Sequence, residues 1–230
     1  MTTTTPVYPS TKPVSRGRTT TNSTVKYAVE MIGTLFLVFT IGTAVRSGNP
    51  LAPLAIGAVL MAMVYAGGHI SGAHYNPAVT LAVLIRRRIE IREALGYWAS
   101  QFVGGLAAAL VTAVAPAQTT PMTLSGHATV VAFIAELLVT FALCYVVLNV
   151  ATSKDHPDNS FYGLAIGFTV AAGAVAVGPI SGGAFNPAVA IAGIAMGMFS
   201  PSMLLMFVAA QAIAAVAAGL AFRAINPSDR

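Results

Sequence analysis

SGAHYNPAVT, residues 71–80, and SGGAFNPAVA, residues 181–190, place the same Asn-Pro-Ala-Val words inside an otherwise apolar chain. Ile70–Val79 and Ile180–Val189 agree at seven of ten positions, with an offset of 110. Asn is a favoured helix N-cap, and Pro is favoured at the first helical position, where its missing N–H costs nothing. Apolar runs follow, AVTLAVLI after Pro77 and AVAIAGIAMGM after Pro187. Each motif therefore reads as the start of a helix about half a membrane long. The residues ahead of them, Gly72-Ala73-His74-Tyr75 and Gly182-Gly183-Ala184-Phe185, read as irregular backbone. At membrane depth such backbone is tolerated only where it is buried in protein or lines a watery cavity. One copy alone would be an ordinary cap; two related copies point to a built site.

Further features repeat outward from the motifs. Gln101 and Gln211 share the offset of 110, and Glu30 and Glu136 are offset by 106, so Glu, NPA and Gln recur in one order. Apolar runs give six spans, roughly 25–46, 52–68, 94–115, 128–151, 161–178 and 201–223, and the two short ones precede the NPA copies. Three spans per half is an odd number, so the second half enters the membrane from the opposite side. Inverted repeats of this kind place their site near the midplane, where broken helices meet. The expected fold class is an all-α membrane protein, six transmembrane helices plus two re-entrant half-helices. Two half-helices meeting tip to tip present positive dipole ends and two asparagine amides to a passing oxygen, with loop carbonyls as acceptors along the path.

Composition agrees with a lipid-facing surface. Of 230 residues, 56% are hydrophobic and 8% charged, against about 25% charged in soluble domains. The net charge of +5 is a matter of placement rather than of nucleic-acid binding. Eleven of the twelve Lys and Arg residues fall before the first span, in RRRIEIRE, between the fourth and fifth spans, or at the end; Arg46 alone falls on the other side. The positive-inside rule then places both termini in the cytoplasm. A lipid-head-group site at Arg86–Arg92 is the alternative use of that cluster. Residues 1–24, rich in Thr, Ser and Pro, read as a disordered cytoplasmic tail without a signal peptide's apolar core. The expected organisation is a first repeat over 25–115, an extracellular linker over 116–127, a second repeat over 128–223 and a cytoplasmic end over 224–230.

GHISGAHYNPAVT, the two transmembrane glutamates and YWASQFVGG together resemble the aquaporin, or major intrinsic protein, family over residues 25–223. The resemblance implies six spans, two half-helices and a homotetramer with one pore per protomer. It implies that Asn76, Pro77, Ala78, Asn186, Pro187 and Ala188 form the centre of the pore. It further implies that carbonyls of residues 72–75 and 182–185 line the pore, and that Glu30 and Glu136 accept hydrogen bonds from the two loops. A carboxyl inside a span is costly unless paired. Proton coupling is the other use for it, and no basic partner lies within any span.

The same resemblance isolates one departure. Most members read NPAR in the second copy, where the arginine narrows the outer mouth and repels cations; some plant vacuolar members differ. Here the residue is Val189. The other filter positions, carried over by spacing, are Ile56, Ala174 and Gly183, so none of the four is aromatic or charged. The expected mouth is wide and apolar. It should pass water and uncharged solutes such as glycerol, urea, ammonia or metalloid hydroxides, with weaker cation exclusion. Glycerol-conducting members usually carry Asp soon after the second NPA, whereas this chain has Ala190, so neither standard subgroup fits.

The remaining residues say less. Cys144 is expected to pack, and the four-residue spacing of Gly163, Gly167 and Ala171, and of Ala210, Ala214 and Ala218, suits tight helix contacts. His69 and His74 are expected to pack or bond the first loop; His127 lies near the outer end of the fourth span, and His156, in the cytoplasmic loop, raises a pH gate there. No cofactor, metal site or nucleic-acid partner is expected, and no nucleophile–base pair suggests an enzyme. A coupled transporter or a poorly conducting scaffold are the rival classes. Compact loops suit a bacterial inner membrane.

Overall fold

A computed structural model describes residues 22–113 and 120–229. The expected tail falls outside this range up to residue 21, as do residues 114–119 of the linker. The order is α1 (Ser23–Arg46), α2 (Ala52–Ser71), α3 (Pro77–Ile85), α4 (Ile91–Thr112), α5 (His127–Val147), α6 (Tyr162–Ser181), α7 (Pro187–Ala195) and α8 (Leu204–Ile225). A π turn, Leu148–Thr152, continues α5, and a 3₁₀ turn, Pro201–Met203, leads into α8. Six of the described helices are long and apolar enough to cross a membrane. The chain is all-α; an isolated bridge between Met122 and Phe199 ties the linker to the segment after α7.

Helix ends follow from residue chemistry. Asn22 caps α1, its Oδ1 accepting from the Thr24 amide at 3.0 Å. Residues 23 and 24, expected in the tail, are therefore the first of the helix. Hydropathy ends the second and fifth spans at 68 and 178, whereas α2 and α6 run on to Ser71 and Ser181. Their hydroxyls explain the difference. Ser71 Oγ donates to Glu30 and accepts from the Ala73 amide, and Ser181 Oγ does the same with Glu136 and Gly183. Polar residues satisfied inside the protein sit at membrane depth without penalty. Left-handed Gly72 and Gly182 then stop each helix, at φ 86° and 93°.

The two sets of four helices pack as copies. α1 lies on α4 as α5 lies on α8, and α2 and α6 cross between the halves. Each half-helix rests on the last helix of the other half, α3 on α8 and α7 on α4. Small residues permit these approaches: a Cβ on Gly219 would lie 2.7 Å from Ile85 of α3. Gly163, Gly167 and Ala171 all face α2 near Tyr65 and Gly57, and Ala210, Ala214 and Ala218 are buried on α8. Cys144 is buried in the core.

Candidate functional site

Glu30 and Glu136 occupy equivalent places beneath the two loops. Glu30 accepts from Ser71 Oγ at 2.7 Å, the His74 and Tyr75 amides at 2.9 and 2.7 Å, and Gln101 Nε2 at 2.8 Å. Glu136 accepts from Ser181 Oγ at 2.8 Å, the Ala184 and Phe185 amides at 2.9 and 2.8 Å, and Gln211 Nε2 at 3.0 Å. These bonds keep Ala73, Tyr75 and Phe185 at φ 51°, 49° and 50°. Residues with a Cβ seldom adopt that region, at a cost of about 1–3 kcal/mol each. The Tyr75 ring is also seated: its hydroxyl donates to Met63 O at 2.9 Å, in space kept open by Gly33 and Gly67.

The asparagines stand between the loops. Asn76 and Asn186 cap α3 and α7 in extended conformation, and each Oδ1 accepts from the amide two residues on, at 2.8 and 2.9 Å. Their side-chain nitrogens cross to the opposite loop. Asn76 Nδ2 donates to Phe185 O at 2.8 Å, and Asn186 Nδ2 donates to Tyr75 O at 2.9 Å. Each amide thus commits one N–H and keeps a second. Of the eight loop carbonyls expected to line the passage, those of Tyr75 and Phe185 receive these cross-bonds.

A cavity of about 600 Å³ runs from the α1–α2 loop to both asparagines. Ile56, Ala174, Gly183 and Val189 lie on its wall, together with Val79 and with Ala73, His74, Tyr75, Gly182, Ala184 and Phe185. Pro77, Ala78, Pro187 and Ala188 do not; they begin the half-helices behind the asparagines, where Pro77 O accepts from Trp98 Nε1 at 3.1 Å. Three features of the wall escaped the sequence reading. Phe199 puts an aromatic ring there, held against Gly182 and Gly193, where a Cβ would come within 2.4 and 2.6 Å of it. Met122 and Met198 add thioethers. Pro179, inside α6, deprives the Val175 carbonyl of its usual helical donor, and both residues line the cavity.

A second cavity of about 440 Å³ opens at the other end, among Lys26, Arg88, Glu93 and Lys154. Gly72 lines this one and not the larger. Lys26 pairs with Glu93 at 2.7 Å. Asp229 gathers the rest: its carboxylate accepts from Arg86 and Arg88 at 2.9 and 2.8 Å and from the Lys154 amide at 3.0 Å. Burial alone would raise this carboxyl, but the Lys154 amide and the two guanidiniums prevail and hold it down at about 2. Arg86 is fully buried, also donating to Asp229 O and Thr152 Oγ1, with its guanidinium 4.2 Å from the centre of the Phe222 ring. Arg86 is therefore unavailable to a lipid head group, whereas Arg87, Arg88 and Arg92 of the same cluster are exposed. Arg46, at the far end, donates to Thr112 O. His69 is exposed on α2. His127 and His156 line neither cavity; His156 packs on Phe161 with ring centres 6.0 Å apart.

Comparison with known proteins places this geometry. The profile described as Major intrinsic protein matches residues 19–182 and 163–229. A Lactiplantibacillus plantarum protein named glycerol uptake facilitator protein-like 6 is 39% identical over 216 residues, covering 89% of this chain and 99% of the relative. Rice aquaporin NIP2-1 is 39% identical over 177 residues, 71% of this chain and 58% of the plant protein, so the chain spans about three fifths of that relative. Among solved structures, an aquaglyceroporin from Plasmodium falciparum aligns with TM-score 0.74 over 90% of this chain and 99% of its own, at 18% identity.

Proposed function

This chain belongs to the major intrinsic protein family, and from that premise we propose a passive channel whose outer filter is wide and apolar. The protein is an integral, multi-pass membrane protein, not an enzyme, and conducts water and small uncharged solutes. Asn76 and Asn186 offer their spare N–H groups to solutes at the centre, and the half-helix dipoles oppose cations there. Glu30 and Glu136 hold the loops open, with donors on every carboxylate oxygen. Ile56, Ala174, Gly183 and Val189 form the filter, a wall without a guanidinium, suited to glycerol, urea, ammonia or metalloid hydroxides.

The observation that carries the reading is the reciprocal pair of asparagine-to-carbonyl bonds joining two half-helices beside the larger cavity. The clustering of Lys26, Arg86, Arg88 and Lys154 around one opening supports a cytoplasmic placement of that end. A homotetramer in lipid, in a bacterial inner membrane, completes the proposal. Purified protein in liposomes, shocked with impermeant, glycerol and urea gradients, tests it. A channel accelerates shrinkage and solute entry with weak temperature dependence. Slow, saturable, gradient-linked uptake, or no flux above empty liposomes, would refute it.

A further inference from the structure

The two cavities have only His74 and Val147 in common among their lining residues. That shared pair lies where the larger cavity meets the basic-end vestibule. Val147 is the last residue of α5, just ahead of the π turn. The imidazole of His74 is fixed from three directions. Its amide donates to Glu30 at 2.9 Å, its Nδ1 lies 3.0 Å from Thr80 Oγ1, and its ring meets Tyr97 edge-on at 5.1 Å.

The bonds around Thr80 assign the ring's protons. Thr80 Oγ1 accepts from Gln101 Nε2 at 3.0 Å and donates to Asn76 O at 3.1 Å. With the hydroxyl hydrogen placed on Asn76 O, Thr80 accepts from His74, an arrangement that puts the ring proton on Nδ1 and leaves Nε2 as an acceptor. No group among the described residues bonds Nε2. It lies 3.4 Å from the point where a Cβ on Gly72 would sit, on the vestibule side.

The repeat supplies an internal control. Residues 110 positions on from His74 and Thr80 are Ala184 and Ala190. The two loops match in their glutamate, serine, asparagine and glutamine bonds, and only the first carries an imidazole with a hydroxyl to aim it. The outer filter positions offer no charged side chain.

Resting on the channel reading above, we infer that this protein discriminates among solutes at the His74–Val147 neck rather than at its outer mouth. The neck favours neutral solutes with O–H or N–H donors, which replace a water hydrogen bond at Nε2, and limits their width against Val147. Thr80 is the positioning residue.

The test uses full-length protein in liposomes and compares water, glycerol and erythritol fluxes. Val147→Ala widens the neck without touching the His74–Thr80 pair. It should raise the erythritol-to-glycerol ratio several-fold more than Val189→Ala, which widens the mouth. Thr80→Val keeps the shape but frees the ring, and should shift the glycerol-to-water ratio several-fold, with Thr80→Ser restoring it. Equal shifts in Val147→Ala and Val189→Ala, or a shift confined to Val189→Ala, overturn the inference while leaving the channel intact. Absence of any wild-type flux removes the channel reading itself.

Discussion

Val189 stands nearly buried on the cavity wall, one turn into a helix whose cap points at the opposite loop. An arginine there would bring a hydrated guanidinium into a space now bounded by methyl groups, glycine and the Phe199 ring. Val189→Arg is expected to keep water flow and to cut glycerol and urea flow about tenfold, about 1.4 kcal/mol in the barrier. Stopped-flow light scattering reads both, and unchanged solute flux would count against the wide mouth. Residues of this kind were legible because they belong to a repeated word. Glu30 and Glu136 were legible because a carboxylate in an apolar run demands donors. Phe199 was not, since it reaches the wall from a segment outside the motif, through space that Gly182 and Gly193 leave open. Nor was Asp229, an acid in a polar stretch whose partners lie 141 and 143 residues away.

α2 and α6 meet where their backbones nearly touch. A Cβ on Gly167 would lie 2.4 Å from Gly57 O, and one on Gly57 would lie 2.6 Å from Gly167 O. Carbonyl oxygens of a packed helix cannot step aside as side chains do, so overpacking here costs about 1–3 kcal/mol. Gly178, on the same helix, has nothing within 4 Å of its Cβ position. Gly167→Ala should lower the thermal midpoint in detergent, and Gly178→Ala should leave it unchanged or raise it, since alanine favours helix. Equal effects would mean that the contact between halves adds little stability. At this scale apolar runs located all six spans and the Asn-Pro caps located both half-helices, while hydropathy misplaced the ends of spans. Hydropathy treats Ser71 and Ser181 as exits, whereas each is the hinge on which a loop turns toward its glutamate.

Across the whole molecule, one carboxylate ties the segments of the basic end together. Asp229 joins the segment after α3, the segment after α5 and the segment after α8. Its folded value of about 2 lies below the ordinary 3.8. Its contribution to stability is therefore complete above about pH 4 and fades as pH falls from there through about 2. Asp229→Asn should melt at a lower temperature than the natural protein at neutral pH, and the gap should close as the pH is taken toward 2. A gap that persists under acid would assign the stabilisation to something other than charge. The reciprocal bonds between Asn76 and Phe185, and between Asn186 and Tyr75, carry a different consequence, one of timing. While the ribosome has delivered only the first four helices, Tyr75 and Asn76 have no counterpart to bond, and α3 has no α8 to rest on. The first loop then stays unfinished until Phe185 and Asn186, 109 and 111 residues after their partners, have been made.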